Sequence, residues 1–211
     1  KKQLNYKNAI VRLYDIPILY FPKFFHPDPT VKRQSGFLKP ILNNSNVLGS
    51  SFTVPYYSVL SEEKDLTTAP LIFDNETKML QNEFRSVGEK HSFKGNFGHT
   101  RKYKSSLLNK NKNISYLFSN LEYDLDFSNF NTSKFYFNIE KVTDDTFLKI
   151  FDTNLIDETT SLKPQNKDSL TSELKLTLDT EDFNLTTGFQ SFENLQLSNN
   201  DRYQFILPYY N

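Results

Sequence analysis

Apolar and polar residues alternate with a period of two through most of the second half of this chain, and no other feature limits its fold so much. In residues 115–127, Leu117, Leu121, Tyr123, Leu125 and Phe127 share one face of an extended chain, while Asn120, Glu122, Asp124 and Asp126 share the other. Residues 134–141 set Phe135, Phe137 and Ile139 against Tyr136, Asn138 and Glu140. Residues 170–179 set Leu170, Leu174, Leu176 and Leu178 against Thr171, Glu173, Lys175 and Thr177, and Phe183, Leu185 and Phe189 oppose Asn184, Thr186, Gly188 and Gln190. A helix would scatter these sets around its axis, whereas a strand sorts them. Residue usage agrees: 20 Phe and 12 Tyr against one Met favour a pleated surface over a helical one.

The same rhythm extends backwards. Residues 37–42 and 51–59 read as strands joined by the turn-rich NNSN, and residues 66–73 and 78–86 as a pair turning at Asp74, Asn75 and Glu76. Residues 91–101 set Phe93, Gly95 and Phe97 against Ser92, Lys94 and Asn96; residues 102–113, rich in Lys and Asn, read as a solvated loop. A short last strand spans residues 203–207, before Pro208. From residue 37 onward this makes about ten antiparallel strands in chain order. Ahead of them, residues 8–14 and 16–21 read as two strands closing a smaller domain, with Phe24 and Phe25 packing its end. The run His26-Pro27-Asp28-Pro29 is too proline-dense for regular structure and reads as an extended hinge, with a domain boundary near Gln34.

Composition removes several function classes. Lys and Arg total 25 against 25 Asp and Glu, which argues against nucleic-acid binding by bulk charge. With no Cys, disulfides and thiolate metal sites are excluded. Of the histidines His26, His91 and His99, the last two lie eight apart with no Cys, Glu or Asp at ligand spacing, which makes a zinc site a poor reading. No phosphate loop, catalytic triad or nucleophile elbow is legible. Asp144 and Asp145 are adjacent, so on a strand they would face opposite ways; they read better as the cap of a short helix over residues 146–151. No apolar run reaches the roughly 18 residues of a membrane helix. Strands of about 10 residues with every second one apolar suffice for a transmembrane barrel. Periodicity alone leaves open a lipid-facing barrel, a soluble secreted β-sandwich that binds glycans, and a carbohydrate-active enzyme drawing a carboxylate pair from Glu122, Asp124 and Asp126.

Residues 16–57 carry the most specific signal. They run from an apolar segment broken by Pro17 and Pro22, through the hinge and Lys32-Arg33, into two strands that each hold a proline, Pro40 and Pro55. A proline cannot donate to a ladder, so two adjacent proline-bearing strands suggest an edge built to open. The run YFPKFFHPDPTVKRQSGFLKP closely resembles the junction segment of the LptD (OstA) family, outer-membrane lipopolysaccharide-assembly translocons. LGSSFTVPYY, DLTTAP, NEFRSVG, VTDDTFLKIF, FQSFENL and LPYY continue the resemblance in the family's order.

The resemblance implies an all-β protein: the end of a periplasmic β-jelly-roll with its hinge over residues 1–33, then the N-terminal portion of a large transmembrane β-barrel over residues 34–211. It implies transport of lipopolysaccharide into the outer leaflet of the outer membrane, with no catalysis and no cofactor. The implied partners are a plug lipoprotein inside the barrel, similar to LptE, and a periplasmic bridge protein similar to LptA. Pro40 and Pro55 fall where the family carries its lateral-gate prolines, and Lys32 and Arg33 fall where lipid phosphates would pass from jelly-roll to barrel. Without an initiator Met or signal peptide, the chain reads as an internal piece of a longer protein.

Overall fold

The computed structural model describes residues 3–13, 16–27, 33–104, 111–151, 155 and 162–210. It forms two compact units, Lys1–Ser35 and Gly36–Asn211. The first is an antiparallel pair, β1 (Gln3–Leu13) and β2 (Ile16–Pro27). β2 runs past residue 21 and takes in Phe24, Phe25, His26 and Pro27, which the sequence suggested were already packing residues and hinge. The ladder tolerates Pro22 because the register passes from Lys7↔Lys23 to Ala9↔Phe21 over Asn8, whose φ is 56°. Asn8 accepts a hydrogen bond from the Tyr20 hydroxyl at 2.7 Å. Pro27 ends the strand, where a donor is dispensable. Of the expected hinge, residues 28–32 lie outside the described residues, and Arg33, Gln34 and Ser35 have no regular secondary structure.

The second unit is one antiparallel meander. Its strands are β3 (Gly36–Phe37), β4 (Ile41–Ser45), β5 (Gly49–Thr53), β6 (Tyr56–Val59), β7 (Lys64–Phe73), β8 (Lys78–Val87), β9 (His91–Lys104), β10 (Asn111–Asp124), β11 (Thr132–Val142), β12 (Ser169–Asp179), β13 (Asn184–Asn194) and β14 (Tyr203–Tyr210). All belong to a 12-stranded sheet ordered as the chain runs, with β4 at one edge and β14 at the other. Because β3 with β4, and β5 with β6, are halves of interrupted strands, the sheet is crossed in ten passes.

Several boundaries differ from the sequence reading, each for a packing reason. NNSN does not make the first turn: Asn43 to Ser45 pair in β4 and the turn is Asn46 to Leu48, because Leu48 is buried. Gly49 follows with φ 75°, and the Asp74 carboxylate, which accepts from the Ser50 amide at 3.0 Å, fills the space a Cβ would need. β9 and β10 both extend into the Lys- and Asn-rich segment, where Tyr103 is buried against the Phe151 ring. β14 continues through Pro208 to Tyr210, since the register against β13 shifts between Gly188 and Gln190 and leaves Pro208 out of the paired positions.

The two faces differ. Phe97 pairs with Leu117, Phe137 with Leu174 and Leu174 with Phe189, giving one face an apolar band across the strands. Leu80, Phe97, Leu117 and Phe189 in this band are exposed, and no second sheet covers them among the described residues. On the other face the half nearer residue 36 is polar, with Thr67, Gln81 and Asn96 buried. The half farther from residue 36 carries Leu71, Phe73, Met79, Ile114, Tyr116 and Phe118, all buried in one cluster. Gly98 makes room there: a Cβ at this position would lie 2.5 Å from a Tyr116 ring carbon and 2.7 Å from the Leu80 carbonyl.

Candidate functional site

Two constructions stand out, one at each end of the first strands. The first is an interruption of the sheet. Between the pairs Ile41↔Thr53 and Phe37↔Tyr56, the first pass carries Leu38, Lys39 and Pro40 and the second carries Val54 and Pro55. Neither stretch is strand. The Leu38 amide donates to the Pro55 carbonyl at 2.8 Å across the gap. β7 makes the same omission: its pairs with β5 and β6 stop at Leu71 and resume at Thr68, leaving out Ala69 and Pro70. Three successive passes thus carry a proline at one level. Pro55 is fully buried, whereas Pro40 and Pro70 are exposed.

The ladder here is short as well as broken. β4 and β5 make five residue pairs and β3 and β6 two, against nine for β10 and β11. Each backbone hydrogen bond contributes about 0.5–1.5 kcal/mol net, so the first two passes are held together less firmly than the centre of the sheet. The T-shaped contact of Phe37 with Tyr56, 5.0 Å between ring centroids, supports the short upper pair. The position of Pro40 and Pro55 was readable in the sequence. Pro70 was not, because its alignment with them depends on strand register.

The second construction is a lid of aromatic residues on the far half of the covered face. The chain leaves β11 at Val142 and forms α1 (Phe147–Phe151). A helix of five residues has no stability of its own; packing holds it. Phe147, Leu148 and Phe151 are each fully buried. Phe147 stacks on Tyr116 at 4.9 Å and on Phe151 at 5.2 Å, and Phe151 meets Phe73 edge-on.

Asp144 caps this helix as the sequence suggested, accepting from the Thr146 amide at 3.0 Å. Its carboxylate also takes the Lys112 ammonium at 2.9 Å. Burial opposes ionisation of Asp144, but the hydrogen bonds from Thr146 and Lys112 outweigh it and hold the carboxyl below its usual value. Asp145 serves elsewhere: Arg202 bridges it to Glu193, whose other oxygen takes Lys141 at 2.6 Å. Asp145 and Glu193 together hold the Arg202 proton more firmly than usual. None of Arg202, Glu193 and Lys141 was singled out from sequence, since Lys141 lies 52 and 61 positions before Glu193 and Arg202 and meets them only in the folded chain.

The remaining sequence candidates are dispersed. Lys32 lies outside the described residues, and Arg33 is exposed. His91 and His99 both lie on β9, eight residues apart, and bond different neighbours, Ser86 of β8 at 2.9 Å and Ser115 of β10 at 2.8 Å; His26 pairs in β2. No group of acidic or His side chains suited to a metal occurs among the described residues. Asp124 caps the turn below β10 by accepting from the Asp126 amide, and Asp126 pairs with Lys90 at 2.7 Å. Lys90 lowers the Asp126 pKa. These carboxylates thus serve the turn after β10.

No family model matches the chain. Over 199 residues, 90% of its length, it is 30% identical to the LPS-assembly protein LptD of Legionella pneumophila strain Lens. It is 26% identical over 144 residues to the protein of that name from Idiomarina loihiensis, and 36% identical over 89 residues to that from Nitrosomonas europaea. The chain spans 23%, 18% and 12% of the lengths of these relatives, in the same order, and 68% and 42% of it is covered by the last two matches.

Proposed function

The chain belongs to the LptD family, and from that premise we propose that it forms the gate-bearing start of a laterally opening transmembrane β-barrel. In this reading, residues 1–33 end a periplasmic jelly-roll and lead through a hinge into the barrel wall of residues 34–211. The barrel passes lipopolysaccharide into the outer leaflet of the outer membrane. It is a conduit: no bond is made or broken, and no cofactor is needed. A plug lipoprotein inside the barrel and a periplasmic bridge protein that delivers the lipid are the partners this reading requires.

The observation that carries the proposal is the side-by-side interruption of the first two passes at Pro40 and Pro55. A closed barrel has no free edge, and backbone groups in lipid must be paired. Sideways release therefore needs one seam, between the first and last strands, that separates at low cost, and prolines in the first strands shorten the ladder that closes it. The apolar band suits the lipid side, since Leu80, Phe97, Leu117 and Phe189 are exposed with nothing packed on them among the described residues. Lys32 and Arg33, beside the expected junction, are proposed to meet the lipid phosphates as they arrive.

The test is the Pro40→Ala, Pro55→Ala double variant of the full-length protein, which restores two backbone donors. Surface lipopolysaccharide should fall while the amount of assembled barrel stays the same. Unchanged export at unchanged barrel level would reduce both prolines to strand punctuation.

A further inference from the structure

Residues 162–166 return across the covered face and leave a cleft of about 360 Å³ between themselves and the wall. The wall side presents Asn120 of β10, Asn138 and Glu140 of β11 and Thr171 of β12; the returning segment presents Gln165 and Asn166. We propose that this cleft is a saccharide-binding subsite, taking a neutral sugar unit of the transported glycolipid. It rests on the proposed function in one respect, the source of that sugar.

The chemistry of the lining selects the ligand class. Its size is that of a small ligand cleft. Four carboxamides line it; Asn138 spends a donor on the Thr171 carbonyl and Asn166 an acceptor on the Asp168 amide, and the donors and acceptors left match sugar hydroxyls, which both donate and accept. Glu140 brings one negative charge and Lys163 one positive, so the lining has no net charge with which to select a phosphate. An acyl chain would meet a lining made mostly of carboxamides, hydroxyls and charged groups. A peptide strand would need a free edge, and β11 is paired on both sides through Asn138.

The wall is also set before any ligand arrives. The Thr171 amide donates to Glu140 at 2.7 Å and Asn138 donates to the Thr171 carbonyl at 3.0 Å, fixing both side chains across the β11–β12 pair. Tyr136 forms one end of the cleft, and the Lys175 ammonium lies 4.8 Å from its ring centroid, holding the ring in place.

The experiment titrates the full-length protein in detergent micelles with three probes: lipid-free core oligosaccharide from lipopolysaccharide, maltotriose, and lipid A. Core oligosaccharide should bind, maltotriose more weakly, and the Gln165→Ala, Asn166→Ala double variant should weaken oligosaccharide binding about ten-fold or more. Lipid A binding should not change. These two residues lie outside the strands, and heat-modifiable migration on a gel checks that the variant barrel is assembled. Asn138→Ala gives a second reading from the wall side. Oligosaccharide affinity unchanged in both variants, or no oligosaccharide binding by the parent protein, overturns the proposal; maltotriose bound equally well overturns the assignment of the sugar to the transported glycolipid. Surface lipopolysaccharide after depletion of the parent protein reports separately on the transport reading, so either can fail without the other.

Discussion

Phe147 shows what a single side chain contributes here. It is fully buried, stacks on Tyr116 and Phe151, and sits on a helix too short to form alone. Truncation to Ala would leave a cavity under the lid, and such changes cost about 3–5 kcal/mol in packed cores. Phe147→Ala is expected to lower the denaturant midpoint of the micelle-bound protein accordingly. Phe189, on the bare face and half exposed, is the matched comparison; Phe189→Ala should stay within about 1 kcal/mol of the parent. Equal losses for the two would mean that the covered and bare faces are not energetically distinct.

Among the elements, α1 depends on charge as well as on packing. The carboxyl of Asp144 is held below its ordinary value of 3.8 in the folded protein, against burial, by Thr146 and Lys112. A lowered folded-state pKa contributes stability that is present above the unfolded value and lost as pH falls through the folded one. The lid should therefore be fully held at neutral pH and loosen below about pH 4, in the window under the unfolded value. Hydrogen exchange of the amides of α1, compared with those of β10 and β11, checks this. Asp144→Asn should bring the faster exchange to neutral pH and flatten the acid dependence. An acid dependence that survives the substitution would assign it to another group.

For the whole molecule, the question is what each face of the sheet meets. Apolar residues on one face and polar residues on the other are compatible with lipid or with a second sheet. Among the described residues the structure leaves the apolar band of Leu80, Phe97, Leu117 and Phe189 uncovered and buries the far half of the opposite face under α1. Spin labels at Leu117 and Phe97 should be more accessible to membrane-dissolved oxygen than to a water-soluble nickel chelate, with the reverse at Lys94 and Glu122. Labels that all favour the water-soluble reagent would remove the lipid-facing reading. The bare face has a kinetic side too: during folding, an exposed apolar band invites association with other chains.

Alternation with period two is a local property, and the chain by itself carried it completely. It determined most of the strands, which residues share a face in residues 115–124, 134–141, 170–179 and 184–190, the turn at Asp74, the cap at Asp144, and the two proline-bearing passes that anchor the family resemblance. Leu125, Phe127 and Phe183, read as strand residues, lie in the turns beyond β10 and before β13. Local reading misplaced boundaries where a distant partner decided them. Tyr103 lies in a stretch of solvated composition, yet Phe151 draws it into the core. Pro22 and Pro208 sit within strands because Asn8 and a register shift near Phe189 absorb the missing donor. Tertiary structure alone decided what register and chain return bring together: Pro70 beside Pro55, Arg202 between Asp145 and Glu193, and the amide-lined cleft beneath Gln165 and Asn166. A strand's pattern states which way each side chain points. Which residue stands opposite is fixed by pairing across the sheet, and no single strand contains that information.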